Sequence, residues 1–122
     1  MTDILPMKTK GKGAPKMEKG KADTARLIAG KYETKTWNHW LGEDDRLFCG
    51  IWECTPGKVQ AKYDEWEFCH IISGECVLTK AGSKKSWRFK KGDAFIIPAG
   101  FTGTWETVKK LRKHYVILNP KA

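Results

Sequence analysis

The chain contains no Cys-x-x-Cys pair, and none of its four cysteines (Cys49, Cys54, Cys69 and Cys76) stands at zinc-site spacing near a pair of histidines. That excludes the usual zinc-ribbon and zinc-finger arrangements and leaves the thiols to be read as small, reduced core residues. No apolar run approaches the roughly 20 residues with which a helix crosses a bilayer, so no membrane partner is expected. The first residues, Met1 to Met7, lack the basic start and long apolar core of a secretion signal, and the expected location is cytoplasmic. No window sustains a helical apolar repeat and no segment duplicates another, which argues against a helical bundle or a solenoid.

What the 122 residues do hold is 12 glycines, six tryptophans and many Val, Ile, Phe and Thr, a composition that favours strands. The net charge of +9 is uneven: residues 1–30 carry seven basic against three acidic residues in a Lys/Gly/Pro-rich stretch. Such a stretch reads as a flexible basic N-terminal tail (1–30), with residues 1–25 mobile or draped over the surface, ahead of one domain (31–122). It lacks arginine clusters and interleaved aromatics, so nucleic acid is not an expected partner.

Short apolar runs separated by turn signals follow. They cover Tyr32 to Trp40, Leu47 to Cys54, Lys58 to Tyr63, Glu65 to Ile72 and Glu75 to Thr79, with Ser73-Gly74 as a candidate two-residue hairpin. Ser86 to Phe89, Ala94 to Ile97, Gly103 to Glu106 and Leu111 to Asn119 complete the set. This spacing predicts an all-β jelly roll over about residues 32–119.

The stretch from Gly92-Asp93-Ala94 through Pro98-Ala99-Gly100 to Trp105-Glu106 resembles the second sequence signature of the cupins. With Glu67-Phe68-Cys69, Ile72-Ser73-Gly74, Gly103-Thr104-Trp105 and Arg112 to Ile117, the chain is similar to single-domain cupins of the (S)-ureidoglycine aminohydrolase-like group. The resemblance implies a cupin-type jelly-roll β-barrel that usually holds one metal ion. Family spacing puts Glu67 on the metal-binding carboxylate, while the three ligand-histidine positions fall on Ala61, Tyr63 and Gly103. One surviving ligand out of four is too few for a transition metal. The expected cofactor is therefore none, or a divalent ion held weakly through Glu67, and metal-dependent ureidoglycine hydrolysis is doubtful.

Strand parity places side chains two apart on one face. With Glu67 pointing into the barrel, Cys69, Ile71 and Trp105 point in as well, and Phe68, His70 and Ile72 point out. The candidate site is thus a cavity lined by Tyr63, Glu67, Cys69 and Trp105, joined by Lys113 and Tyr115, binding a small polar molecule. Glu67 and Tyr63 are the candidate catalytic pair, since a carboxylate desolvated among aromatics can act as a general acid or base unless a nearby Lys113 reverses the effect. Alternatively, Glu67 bonds Tyr63 and merely closes a filled barrel. Substituting Gln at 67 is expected to alter binding and leave the fold intact. His39 and His114 are expected to be structural. The outward row Trp66, Phe68 and His70 is the expected contact of a homodimer, and a non-enzymatic dimeric binding or regulatory module is the alternative function.

Overall fold

Alternating burial shows how the sequence folds. In the segment Gly57–Lys62, Gly57, Val59 and Ala61 are buried, whereas Gln60 and Lys62 are exposed. The segment is one of nine strands: β1 (Glu18–Lys21), β2 (Leu27–Gly30), β3 (Glu33–Gly42), β4 (Leu47–Cys54), β5 (Gly57–Lys62), β6 (Trp66–Lys80), β7 (Ser86–Lys90), β8 (Ala94–Ile97) and β9 (Thr102–Leu118), and the alternation is clearest in β5, β6 and β9. The structure, a computed structural model, describes residues 3–121, and none of these lies in a helix.

Two long strands organise the barrel. β6 and β9 pair antiparallel from Trp66↔Leu118 to Lys80↔Gly103. The far edge of β9 carries β5 on its first half and β4 on its second. The far edge of β6 carries β8 on its first half and β7 on its second. One sheet therefore runs β1-β3-β4-β9-β6-β8 and the other β2-β5-β9-β6-β7, and the shared strands bend from one to the other. This is a jelly-roll β-barrel, as the strand spacing predicts.

The bend corrects the expected hairpin at Ser73-Gly74. β6 continues through these residues, with register shifts between Ile71 and Cys76. The shifts reverse which side chains are buried, from Glu67, Cys69 and Ile71 to Cys76 and Leu78, as an irregular insertion must when side chains alternate. Gly74 permits this with φ of 90°, and a Cβ there would lie 2.2 Å from the Lys110 carbonyl oxygen. Likewise, Gly103 to Glu106 and Leu111 to Leu118 are not separate strands but parts of β9, which ends one residue short of Asn119.

The segment expected to be a flexible tail contributes two strands. β1 pairs with β3 and β2 with β5. Glu18-Lys19-Gly20-Lys21 has no apolar alternation because all four residues are exposed, and it is held to the edge by its backbone pairing with β3. Residues 1, 2 and 122, at the outer ends of the expected tail and domain, lie outside the described residues.

The core comprises Val59, Ala61, Cys69, Ile71, Cys76, Leu78, Ile97, Trp105 and Leu111. All four cysteines are free thiols. Burial pushes Cys54 up to about 11 and Cys76 up to about 12, so both stay protonated and inert at neutral pH. Among the described residues no helix is long and apolar enough to cross a membrane.

Candidate functional site

The inner faces of β4, β9 and β6 converge on one buried cation. Trp52 of β4 pairs with Lys113 of β9, and Lys113 pairs with Ile71 of β6. The Lys113 side chain therefore enters the barrel, where the residue is only 5% exposed. Its Nζ lies 2.8 Å from Glu67 Oε2 and 3.5 Å from Cys69 Sγ. The same nitrogen sits 4.6 Å from the centroid of Trp52 and 4.5 Å from that of Trp105. Cation–π contacts of this kind contribute up to about 2 kcal/mol when desolvated.

The two indoles stand edge to face, with centroids 5.7 Å apart, and Trp105 Nε1 donates to Thr107 Oγ1 at 2.9 Å. Trp105 is thereby fixed without using any group that faces the cavity. Burial pulls the Lys113 ammonium toward deprotonation, and the facing Cys69, Glu67 and Tyr63 more than offset this, raising it well above the usual lysine value. Lys113 remains a cation at neutral pH.

A cavity of about 470 Å³ opens over this pair, lined among others by Tyr32, Asn38, Trp52, Tyr63, Trp105 and Tyr115. Tyr63 follows β5 and is tied to the Pro98–Phe101 turn: its N–H donates to the Phe101 carbonyl at 2.9 Å, and its own carbonyl accepts from Gly100 at 2.6 Å. Tyr115 donates its hydroxyl to Asn38 Oδ1 at 2.7 Å. Burial raises the hydroxyls of Tyr32, Tyr63 and Tyr115, so all three are neutral phenols that can donate or accept.

Of the expected site residues, Tyr63, Glu67, Trp105, Lys113 and Tyr115 line this one cavity. Cys69 is fully buried and lies beneath the ion pair, donating its thiol to Glu67 Oε2 at 3.3 Å, so it supports the floor and presents no surface. Tyr32, Asn38 and Trp52 were not expected. Trp52 shares the parity of Phe48 in β4, but only the pairing of β4 with β9 reveals that this parity faces Lys113. A wider depression of about 570 Å³ lies along β1, β3 and β4 between Lys19, Lys35, Glu53 and Lys110. None of the motif residues reaches it.

The residues present do not fit the metal that the cupin fold implies. The carboxylate that would ligate it is held by the Lys113 ammonium, a cation already in place. At Gly103 a Cβ would lie 1.9 Å from the Thr79 carbonyl oxygen, which leaves no room for a ligand side chain. Among the described residues, no three His, Cys, Asp or Glu side chains are grouped to hold a metal ion.

Residues 41–115 match the family model described as the EutQ-like cupin domain. Among solved structures, a DUF861-family protein of unknown function from Pseudomonas syringae pv. tomato is 20% identical with a TM-score of 0.75, over 83% of this chain and 43% of that one. The EutQ protein of Clostridium difficile is 18% identical with a TM-score of 0.62, over 74% of this chain and 65% of that one. A DUF861-family protein from Thermotoga maritima is 32% identical with a TM-score of 0.51, over 53% of this chain and 73% of that one. The chain thus spans less than two-thirds of the length of the first two. No curated protein matches it.

Proposed function

The chain belongs to the EutQ-like cupin domain family, and from that premise we propose that it is a metal-independent binding module for a small polar ligand, in which Lys113 replaces the metal. The observation that carries this reading is the Lys113–Glu67 pair at the floor of an aromatic-walled cavity. The cavity volume falls in the range of small-molecule sites. Because the floor is already charge-neutral, a ligand with a net charge would enter without a free counter-ion. A neutral or zwitterionic molecule fits better, with a flat portion against Trp52 and Trp105 and hydrogen-bonding groups toward the three tyrosines.

Metal-dependent hydrolysis of the ureidoglycine type is not part of this reading. Glu67 and Tyr63 then serve binding, the carboxylate being already engaged by the Lys113 ammonium. Calorimetric screening of neutral amides, ureides and amino acids against carboxylate and phosphate anions tests it. Tyr63→Phe is expected to weaken any hit by about tenfold with little change in stability. A screen in which only anions bind, or in which Tyr63→Phe binds its hit as the wild type does, would reject the reading.

The module is proposed to act as a homodimer. Trp66 and Phe68 pair with Leu118 and Val116 on the outer face, and Ile96, beside Phe68, is 56% exposed. An apolar strip of this kind marks an interaction surface, and a second copy supplies a matching strip by twofold symmetry. Light scattering is expected to give twice the 13.9 kDa chain mass; the single-chain mass at high micromolar concentration would overturn the proposal.

A further inference from the structure

On the face of β6 and β9 turned away from Lys113, two of the three histidines stand directly opposite each other. His70 pairs with His114 across the strands. Their rings are parallel to within 9°, with centroids 5.4 Å apart, and the two Nδ1 atoms are 3.2 Å apart. Each Nδ1 has the other as its hydrogen-bond partner, so the two share one proton between two lone pairs.

That separation is the one a metal ion imposes on two imidazoles. With metal–nitrogen bonds of about 2.05 Å, two ligands lie about 2.9 Å apart at a right angle and about 3.3 Å apart at the tetrahedral angle. The spacing suits two ligands of one ion, and binding requires loss of the shared proton and a turn of both lone pairs from each other toward the ion. The flanking positions in the same cross-strand row are Ala94 on β8 and Ile51 on β4. Neither is a carboxylate, so the donors are imidazole nitrogen alone.

The third histidine, His39, is not grouped with these two closely enough to complete a three-ligand set among the described residues. His39 Nε2 lies 2.9 Å from the Lys8 carbonyl oxygen, which keeps the proton on that nitrogen. Its Nδ1 is buried without a hydrogen-bond partner, the one such side-chain atom among the described residues. A backbone carbonyl that fixes the tautomer of a histidine and frees its other nitrogen is a common orienting device in metal sites.

We propose that His70 and His114 form a binding site for a borderline first-row metal ion, such as Zn2+, Ni2+ or Cu2+, on the outer face of the barrel. The remaining coordination positions are left to water or to groups of a second copy. Nitrogen donors without carboxylates select these ions over Mg2+ and Ca2+. The site is separate from the barrel interior and does not depend on the ligand reading above.

Titration of the full chain, purified without a histidine tag, with Zn2+ at pH 7.5 tests it, with Mg2+ as control. Zn2+ is expected to bind and Mg2+ not. His70→Ala and His114→Ala are each expected to weaken Zn2+ binding at least about tenfold, and Tyr63→Phe, inside the barrel, to leave it unchanged. In the unsubstituted protein, Zn2+ is expected to shift the His70 and His114 ring resonances and leave the Trp105 indole resonance in place, a readout that requires no variant to fold. Absence of binding up to about 1 mM Zn2+, retention of wild-type affinity in the double His70→Ala/His114→Ala variant, or unshifted ring resonances would each overturn the proposal.

Discussion

Glu67→Gln is expected to destabilise the protein by about 3–5 kcal/mol, the cost of leaving one member of a buried ion pair without its partner. An amide fills nearly the same volume, so cavity formation contributes little. The loss comes from Lys113, whose ammonium would remain among Trp52, Trp105 and Cys69 with no anion at 2.8 Å. Lys113→Met should cost a similar amount by stranding Glu67. The double variant Glu67→Gln/Lys113→Met should recover most of the loss, because replacing a buried pair with uncharged groups is often near neutral.

Urea denaturation of the three variants measures the coupling directly. If the two single losses simply add in the double variant, the pair is not the source of the stability. The pH dependence carries a definite sign. The Lys113 value is raised in the folded state, so its contribution is complete below the unfolded lysine value near 10.4 and is lost only as pH rises beyond it. Acid sensitivity arises at Glu53. Burial pushes Glu53 up, while Arg112 and then Lys110 pull it down, for a net lowering. Its stabilisation is present above the ordinary carboxylate range and fades as pH falls through its lowered value.

The destabilisation expected at Glu67 differs from the expectation drawn from the sequence alone, that an amide there would spare the fold. The inward parity of Glu67 was readable from the Glu67 to Gly74 spacing, and Lys113 was readable as a neighbour. What could not be read was the distance between them, which depends on the register of β6 against β9, strands more than forty residues apart at their Glu67↔Ile117 pairing. Tyr32, Asn38 and Trp52 escaped for the same reason. Asn38 and Trp52 enter the cavity through β3 and β4 and Tyr32 from the residue just before β3, positions whose facing side is set by long-range pairing and not by local pattern. β4 and β8 were legible to the residue, since clear apolar runs end at clear turn signals. The bend in β6 was not, because Ser73-Gly74 is locally indistinguishable from a hairpin turn. Only the continuous partner β9 makes it a bend.

Gly103 joins the lost metal site to the backbone. Gly103→His, which would restore the histidine that the family places there, is expected to destabilise the protein by about 3 kcal/mol, the upper part of the range for overpacking. The obstacle is the Cβ and not the imidazole: it would lie 1.9 Å from the Thr79 carbonyl oxygen and 3.2 Å from the Ala81 nitrogen. These backbone atoms belong to the far end of β6 and the turn beyond it, where Lys80 pairs with Gly103 and Ala81 donates to the Thr102 carbonyl at 2.9 Å. Gly103→Ala is therefore expected to incur most of the same cost, whereas Ala61→His, a side-chain enlargement on β5, must be accommodated within the core instead. Thermal melts of the two Gly103 variants separate backbone overlap from side-chain crowding. A Gly103→Ala protein as stable as the wild type would show that the strand ends yield freely. The absence of histidine would then be a matter of chemistry and not of space. With the overlap in force, combining His at 61, 63 and 103 should give no interior Zn2+ site, because the third imidazole cannot be seated without parting β6 from β9.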